Sequence, residues 1–333
     1  MNAMRFRAFA SSRHARGFNL IELMIAMVLG LLVVGGAIGI FASNRQAYRA
    51  TESLGRMQEN ARVAFELMAR EVREAGGNPC GKNLPVANVL KNSASSWWSN
   101  WGNGVVGYND GALAASAGVT DAIELMSGTS GGVTVNDKTP GSAEIKLSTK
   151  DHGLEDFDIL MVCDYSQASI FQVTAASGTN ITIGHNTGNV KSGPGNCAQE
   201  LGLPLPPECA AGGKSLKGAA KGYGDNSIVV KLEAARWYVA ENGRGRRSLY
   251  RMRMDKGVEQ PAEEITEGIQ NMQIQYLLDG GIDYVDGSAG LKWKDVTAVR
   301  IVLDVLGTER IGTDGQPLTR QLAHVVNLRN RVS

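Results

Sequence analysis

Residues 17–42 read GFNLIELMIAMVLGLLVVGGAIGIFA, and this stretch decides the fold. From Leu23 to Ala42, all twenty residues are apolar or glycine. As a helix, such a run is about 30 Å long, which is enough to cross the hydrocarbon core of a bilayer. We therefore predict a transmembrane helix over residues 23–42, close to the N-terminus of the chain.

The short segment before this run is basic and sets the predicted orientation. Residues 1–17 contain no Asp or Glu but carry four arginines, Arg5, Arg7, Arg13 and Arg16. Basic flanks tend to stay on the cytoplasmic side of the inner membrane, so the chain after Ala42 is expected to enter the periplasm. An ordinary secretory signal has a shorter apolar run with its cleavage site behind it, whereas Gly17 lies in front of this one.

An uncleaved signal anchor would account for the apolar run but not for Glu22. A bare carboxylate at the edge of a bilayer costs a few kcal/mol, so we expect Glu22 to have a partner or a role.

Beyond the apolar run, the helical pattern continues with one apolar face. Apolar or small residues recur there at steps of three and four: Ala47, Thr51, Leu54, Met57, Ala61, Phe65, Met68 and Val72. This stripe predicts an amphipathic helix over residues 43–75 that packs against a globular domain. Gly76 and Gly77 provide a C-terminal stop, and Pro79 prevents the helix from resuming.

Residues 76–333 are predicted to form a β-rich head, because short β-prone runs alternate there with turn residues. The candidate strands are Ala122–Met126, Ala143–Ser148, Phe157–Val162, Ser169–Thr174, Asn180–Gly184, Ser227–Leu232, Arg236–Ala240, Ser248–Arg253, Ile269–Leu277, Val296–Leu306 and Gln321–Leu328. Val296–Leu306 could instead be a helix, since its apolar residues are too dense to show a period.

Two segments of the head are predicted to lack regular structure. Lys191–Gly224 is rich in Pro and Gly and should form a long loop, and Asn83–Gly118 is a second irregular stretch. The tryptophans of this second stretch are Trp97, Trp98 and Trp101. They could form an exposed contact patch, but burial beneath the helix is favoured.

The four cysteines predict two disulfides. Cys80, Cys163, Cys197 and Cys209 form an even set without a CxxC pair, in a segment expected to be exported. Three connectivities are possible. We favour Cys197–Cys209 as a small closed loop and Cys80–Cys163 as a tie between the end of the helix and the sheet, while free buried thiols remain the alternative.

The charge balance argues against a nucleic-acid-binding protein. The formal net charge is +1, and without the four leader arginines 30 basic residues face 33 acidic ones. A mildly acidic body lacks the basic face that nucleic-acid binding needs. The four histidines are scattered, without a pair at metal-ligand spacing.

Three further motifs are weak. Gly128–Gly132 matches G-x-S-x-G, but the β-prone residues after it stand where a nucleophile elbow needs a helix. Gly213-Lys214-Ser215 resembles the end of a phosphate loop, but Glu208 stands where the first glycine belongs. Asp279–Asp286 lacks the ligand spacing of a calcium loop and predicts a hairpin. We predict no catalytic residue, no metal site and no cofactor.

The stretch GFNLIELMIAMVLGLL resembles the class III, or type IV prepilin, signal, with Asn19 in place of the usual Ser or Thr. The resemblance implies cleavage between Gly17 and Phe18, followed by N-methylation of Phe18. It also implies that Glu22 pairs with the N-terminal amine of a subunit during assembly. That pairing is physically reasonable, because an ammonium and a carboxylate in a dry helix bundle are tolerable only together.

The head carries a second resemblance. RVAFELMAREVREAGGNPC, DILMVCDYSQASIFQVT, HNTGNVKSGPGNC and TRQLAHVVNLRNR are similar to segments of the PilW family of minor pilins. The resemblance implies a type IV pilus subunit in a priming or tip-proximal complex. The implied partners are the prepilin peptidase/methylase, other minor pilins, the major pilin, the inner-membrane assembly platform and a tip adhesin.

The expected architecture is therefore an α+β, type IV pilin-like fold. It comprises a leader (1–17), an N-terminal helix (18–75) and a periplasmic β-rich head (76–333). Two alternatives remain, a minor pseudopilin of type II secretion and, from another class, a signal-anchored periplasmic enzyme. A pseudopilin would share everything up to Ala75, whereas the enzyme would need an uncleaved N-terminus and a reactive cluster in the head.

Overall fold

The computed structural model describes residues 19–77, 80–81, 84–99, 101–178, 180–205, 209, 217–312 and 314–331. Within these ranges, the only α-helix is α1, Leu20–Glu74. The strands are β1 Val86–Asn88, β2 Val105–Tyr108, β3 Ala122–Thr129, β4 Val135–Asp137, β5 Glu144–Leu147, β6 Ile159–Cys163, β7 Ala168–Gln172, β8 Thr182–Gly184, β9 Ile228–Glu241, β10 Arg247–Asp255, β11 Val258–Glu259, β12 Glu263–Glu267, β13 Ile269–Leu278, β14 Tyr284–Asp286, β15 Val296–Leu306 and β16 Thr319–Asn327. One long helix followed by a β-rich head confirms the predicted α+β class.

The described strands form three sheets. The largest has nine strands, with β1-β7-β6-β9-β10-β11 as its main path, β3 beside β9, β2 beside β3 and β12 beside β10. A four-stranded antiparallel sheet has the order β14-β13-β15-β16, and a three-stranded sheet has the order β4-β5-β8. The pair β1–β7 is parallel, whereas the other strand pairs are antiparallel.

The chain divides into two compact units, residues 1–52 and residues 53–333. In the first unit, the described residues from Asn19 to Arg49 are all exposed. In the second unit, α1 buries one face made of Ser53, Met57, Ala61, Ala64, Met68, Ala69 and Val72. The predicted stripe is confirmed from Met57 to Val72. It is wrong for Ala47 and Thr51, which are exposed because the buried face begins only at Ser53.

The helix ends where the glycines predict. Gly76 adopts a φ of 67°, the left-handed conformation in which glycine commonly closes a helix. Its N–H donates to the carbonyl oxygen of Met126 in β3 at 2.9 Å. A Cβ on Gly104 would lie 2.4 Å from the Gly76 Cα, so both positions depend on the absence of a side chain. Pro79 lies outside the described residues.

The main core of the second unit lies between α1 and two sheets. The helix stripe packs with Ile123, Leu125 and Trp237 of the nine-stranded sheet. It also packs with residues of the four-stranded sheet, among them Ile274 and Ile301. Burial on both sides explains why the apolar face of the helix is rich in alanine, which permits close approach of the backbone.

The pairing confirms one open strand prediction and corrects others. Val296–Leu306 is a strand and not a helix, and its Val299, Ile301, Leu303 and Val305 are buried in alternation. The two strands predicted at 227–232 and 236–240 are one, β9, because Ala234 and Ala235 pair with β3 on one side and β10 on the other. The supposedly irregular 83–118 stretch contains β1 and β2.

The structure describes two of the three weak motifs. The Asp279–Asp286 stretch joins β13 to β14, which pair antiparallel, so the hairpin prediction is confirmed. Val135 begins β4, so a strand and not a helix follows the G-x-S-x-G match. Gly213, Lys214, Ser215 and Glu208 lie outside the described residues.

The tryptophans are buried at a different place from the one predicted. Trp98 is 4% exposed and Trp101 is 9% exposed. Both pack with sheet residues that include Met126, Ile170 and Val230, not beneath the helix. The sequence could not show this, because the register that brings these strands together is set far from the 97–101 segment.

Both disulfides form in the head. Cys80 is bonded to Cys163 at the end of β6, and Cys197 is bonded to Cys209. These are the pairings that the sequence favours. The second closes a loop with a sequence separation of 12 within the 191–224 segment. The described residues of that segment form isolated β-bridges and belong to none of the strands β1 to β16.

One buried histidine follows β8. His185 is fully buried, and its ring lies 5.2 Å from that of Phe171. Neither ring nitrogen has a hydrogen-bond partner within the described chain. Burial, and secondarily the charge of Lys138, lower the pKa of His185 to about 3.

His185→Phe should lose less folding stability than the wild type as the pH falls through the acidic range. In the wild type, the unfolded histidine binds a proton below its ordinary pKa of about 6.5, whereas the folded one stays neutral down to about pH 3. Stability is therefore lost as the pH falls through this window, by up to about 1.4 kcal/mol per pH unit. Denaturant unfolding of the detergent-solubilised chain between about pH 7 and pH 5 measures the difference. Parallel curves for wild type and variant would contradict the assignment.

Candidate assembly site

Of the residues predicted for processing and assembly, the structure describes Glu22. Glu22 stands in the first helical turn, and its side chain is exposed. The Leu23 N–H donates to the carbonyl oxygen of Asn19 at 3.1 Å, which begins the helical ladder. Gly17 and Phe18 lie outside the described residues.

The helix following Glu22 exposes an apolar surface on all sides. Among the described residues, one helix, Leu20–Glu74, contains a segment long and apolar enough to span a membrane. Leu31 and Phe41 are each 71% exposed, and the other large side chains between them are exposed to a similar degree. Burying a side chain of this size is worth about 1.5–3 kcal/mol, so the whole segment represents tens of kcal/mol. This surface requires lipid or other apolar helices around it.

Glu22 is the exception within that surface. From Leu20 to Ala42 it is the one charged residue, and every neighbour along the helix is apolar or glycine. A carboxylate removed from water keeps its charge only with a cation close by. The arrangement therefore suits an ion pair that forms when the helix enters an apolar environment.

In the second unit, a polar clamp fixes the helix to the nine-stranded sheet. Glu71 accepts hydrogen bonds from the Trp237 Nε1–H at 2.5 Å and from Arg251 Nη1 at 3.2 Å. The Arg251 guanidinium also lies 5.6 Å from the Trp237 ring centroid and pairs with Glu263 at 2.8 Å. Burial raises the pKa of Glu71, against the hydrogen bond from Trp237 and the charge of Arg251, which lower it.

The C-terminal segment contacts the end of the helix, where the Arg329 N–H donates to the Arg73 carbonyl oxygen at 3.1 Å. Arg331 Nη1 donates to the carbonyl oxygens of Trp293 and Val296, and Nη2 donates to that of Asn103. Its guanidinium lies against Gly76, and burial lowers the pKa of Arg331 to about 10. Sequence reasoning missed both Arg331 and the Glu71 clamp, because their partners lie far along the chain.

Two family comparisons match separate parts of the chain. Residues 12–38 match the prokaryotic N-terminal methylation motif. Residues 236–327 match PilW, the type IV pilus-assembly protein W family. Together, the two matches support a minor pilin of the type IV pilus as the class of this chain. No curated protein matches it.

The two matches lie in different units of the chain. The N-terminal match contains Gly17, Phe18 and Glu22, together with much of the apolar helix that anchors this minor pilin in a membrane. The PilW match runs from the middle of β9 through β16. It includes Trp237 and Arg251, which bind α1, and the whole four-stranded sheet on which α1 packs.

Glu71→Ala should destabilise the head. The substitution leaves the buried Trp237 Nε1 without its acceptor and removes one carboxylate from Arg251, at a cost of about 2–4 kcal/mol. Glu74→Ala is the matched control, because Glu74 is half exposed and pairs only loosely with Arg70, at 3.6 Å. Its effect should stay within about 0.5 kcal/mol.

Thermal unfolding of the detergent-solubilised chain, followed by near-ultraviolet circular dichroism, measures both variants. Equal melting temperatures for Glu71→Ala and Glu74→Ala would contradict the clamp.

Proposed function

We propose that this minor pilin is made as a precursor and processed at its N-terminus. Prepilin peptidase would cut between Gly17 and Phe18 and methylate Phe18, leaving residues 18–75 as the assembly helix and 76–333 as the head. The support is the GFNLIE sequence within the matched methylation motif. The apolar stretch of residues 23–42 follows this sequence directly and is exposed throughout, and that is the observation on which the proposal rests.

We further propose that the N-terminus faces the cytoplasm and the head faces the periplasm. The arginines of the leader favour this orientation under the positive-inside tendency. The two disulfides of the head support it as well, since such bonds persist in the oxidising periplasm.

Within the assembled pilus, Glu22 would pair with the amine of a neighbouring Phe18. Lipid and helix bundle are similarly apolar, so leaving the bilayer gains little hydrophobic free energy. An ammonium–carboxylate pair adds an interaction that the bundle offers and the lipid does not. We propose that this pair sets the register of the incoming helix.

The proposed role is assembly by packing, without catalysis, in a priming or tip-proximal complex. Its partners would be other minor pilins, the major pilin, the inner-membrane assembly platform and a tip adhesin. A type II secretion minor pseudopilin is the second candidate, because it would share the N-terminal helix. The PilW match over residues 236–327 favours the pilus.

Gly17→Ala should block processing, because the methyl group occupies the position where the peptidase requires glycine. The full-length precursor should accumulate in the inner membrane, where an immunoblot detects its lower mobility. Gly55→Ala is the control, since a Cβ there meets nothing within 4 Å and the variant should be processed normally. Normal maturation of Gly17→Ala would contradict the assigned cleavage site.

Glu22→Gln should be cleaved normally but should be depleted from filaments. The glutamine keeps the shape of the side chain and removes the charge that attracts an ammonium. Glu59→Gln, at an exposed helix position of the second unit, is the matched control and should be incorporated like the wild type. Quantifying each variant in sheared pili against its level in the membrane checks the prediction. Equal incorporation of both variants would refute the pairing role.

A further inference from the structure

A pocket of about 530 Å³ opens on the nine-stranded sheet, away from the assembly helix stripe. Val106 and Tyr108 of β2, Glu124 of β3 and Asn88 of β1 form part of its lining, and a serine-rich turn over residues 93–99 forms the rest. Its volume is within the range of small-molecule sites. Half of the residues that line it carry a hydroxyl group, and two of them, Trp97 and Tyr108, are aromatic.

A fixed ion pair borders the pocket. Glu124 is 2% exposed, and its Oε1 accepts hydrogen bonds from Arg236 Nε at 2.9 Å and Nη2 at 2.6 Å. Tyr108 is hydrogen-bonded to the same carboxylate, and burial raises the pKa of Tyr108 to about 12. Because Arg236 balances the charge of Glu124, the pocket presents polar groups without a strong net charge.

The Trp97 ring is held in place before any ligand arrives. Its Nε1–H donates to Glu259 Oε1 at 2.7 Å, and the Arg236 guanidinium lies 4.4 Å from its ring centroid. A ring fixed at its edge and on one face loses little side-chain entropy when a ligand packs against it.

The serine-rich turn supplies hydroxyl groups on a defined backbone. Ser99 Oγ donates to the carbonyl oxygens of Ser93 and Ser96, and Ser95 Oγ donates to that of Asn92. The hydroxyls of Ser93 and Ser96 themselves make no hydrogen bond in the part of the chain that the structure describes. Both are therefore available to a ligand.

We propose that this pocket binds a neutral sugar of one or two pyranose rings. A pyranose offers an apolar C–H face to an aromatic ring and a rim of hydroxyls to polar side chains. Trp97 matches the first, and the hydroxyls of Ser93 and Ser96 match the second. A purely apolar ligand would leave these hydroxyls unpaired, and the balanced Glu124–Arg236 pair favours neither an anion nor a cation. This proposal is independent of the assembly role.

Saturation-transfer NMR on the detergent-solubilised full chain tests the proposal, with cellobiose and chitobiose as probes. We expect transfer to at least one disaccharide, strongest at the C–H protons of one ring face, with a Kd on the order of 1 mM. Trp97→Ala should weaken binding at least about tenfold. Tyr165→Ala is the control, because Tyr165 is 91% exposed and outside the pocket.

If Trp97→Ala does not fold, as judged by near-ultraviolet circular dichroism, Ser96→Leu replaces it. That substitution fills the pocket from a surface turn and should have the same effect on the Kd. The absence of transfer to both disaccharides would overturn the proposal. An unchanged Kd in the folded pocket variant would overturn it as well.

Discussion

The close packing of α1 against two sheets is the interaction on which the rest of the second unit depends. Ala61 and Ala64 are completely buried, and their small side chains let the helix backbone approach β-strands on both sides. A larger residue at either position would overpack the core and displace the sheets. The Glu71 clamp then fixes this helix to the nine-stranded sheet, with polar contacts that require the same close approach.

The two parts of α1 suit two different environments, and the distribution of apolar residues around the helix differs between them. Up to Ala42 it is apolar on every side, and from Ser53 it is apolar on one face only. Lipid or a bundle of neighbouring helices satisfies the first pattern, whereas a globular core satisfies the second. Glu22 is the one charged side chain in the first pattern, which makes it the natural place for a specific interaction between subunits.

The sequence predicted a structural feature correctly where neighbouring residues cause that feature. The apolar run, the glycine stop at Gly76 and the strand predicted over Ile269–Leu277 all follow from neighbouring residues, and each agrees with the structure. It was uninformative where partners are distant. Glu71 and Trp237 are 166 residues apart, and the continuity of β9 across Ala234 depends on strands that pair on both of its sides. The pocket beside Trp97 is equally non-local, because β2, β3 and the serine turn meet only after folding.

The central claim is that this chain is a processed pilus subunit, and the mass of its N-terminus tests that claim most directly. The protein would be purified from the inner membrane and from sheared pili, and the N-terminal peptide would be measured by mass spectrometry. The account predicts a peptide that begins at a methylated Phe18 in both fractions. An intact Met1 would contradict it and would identify the apolar helix as a plain signal anchor.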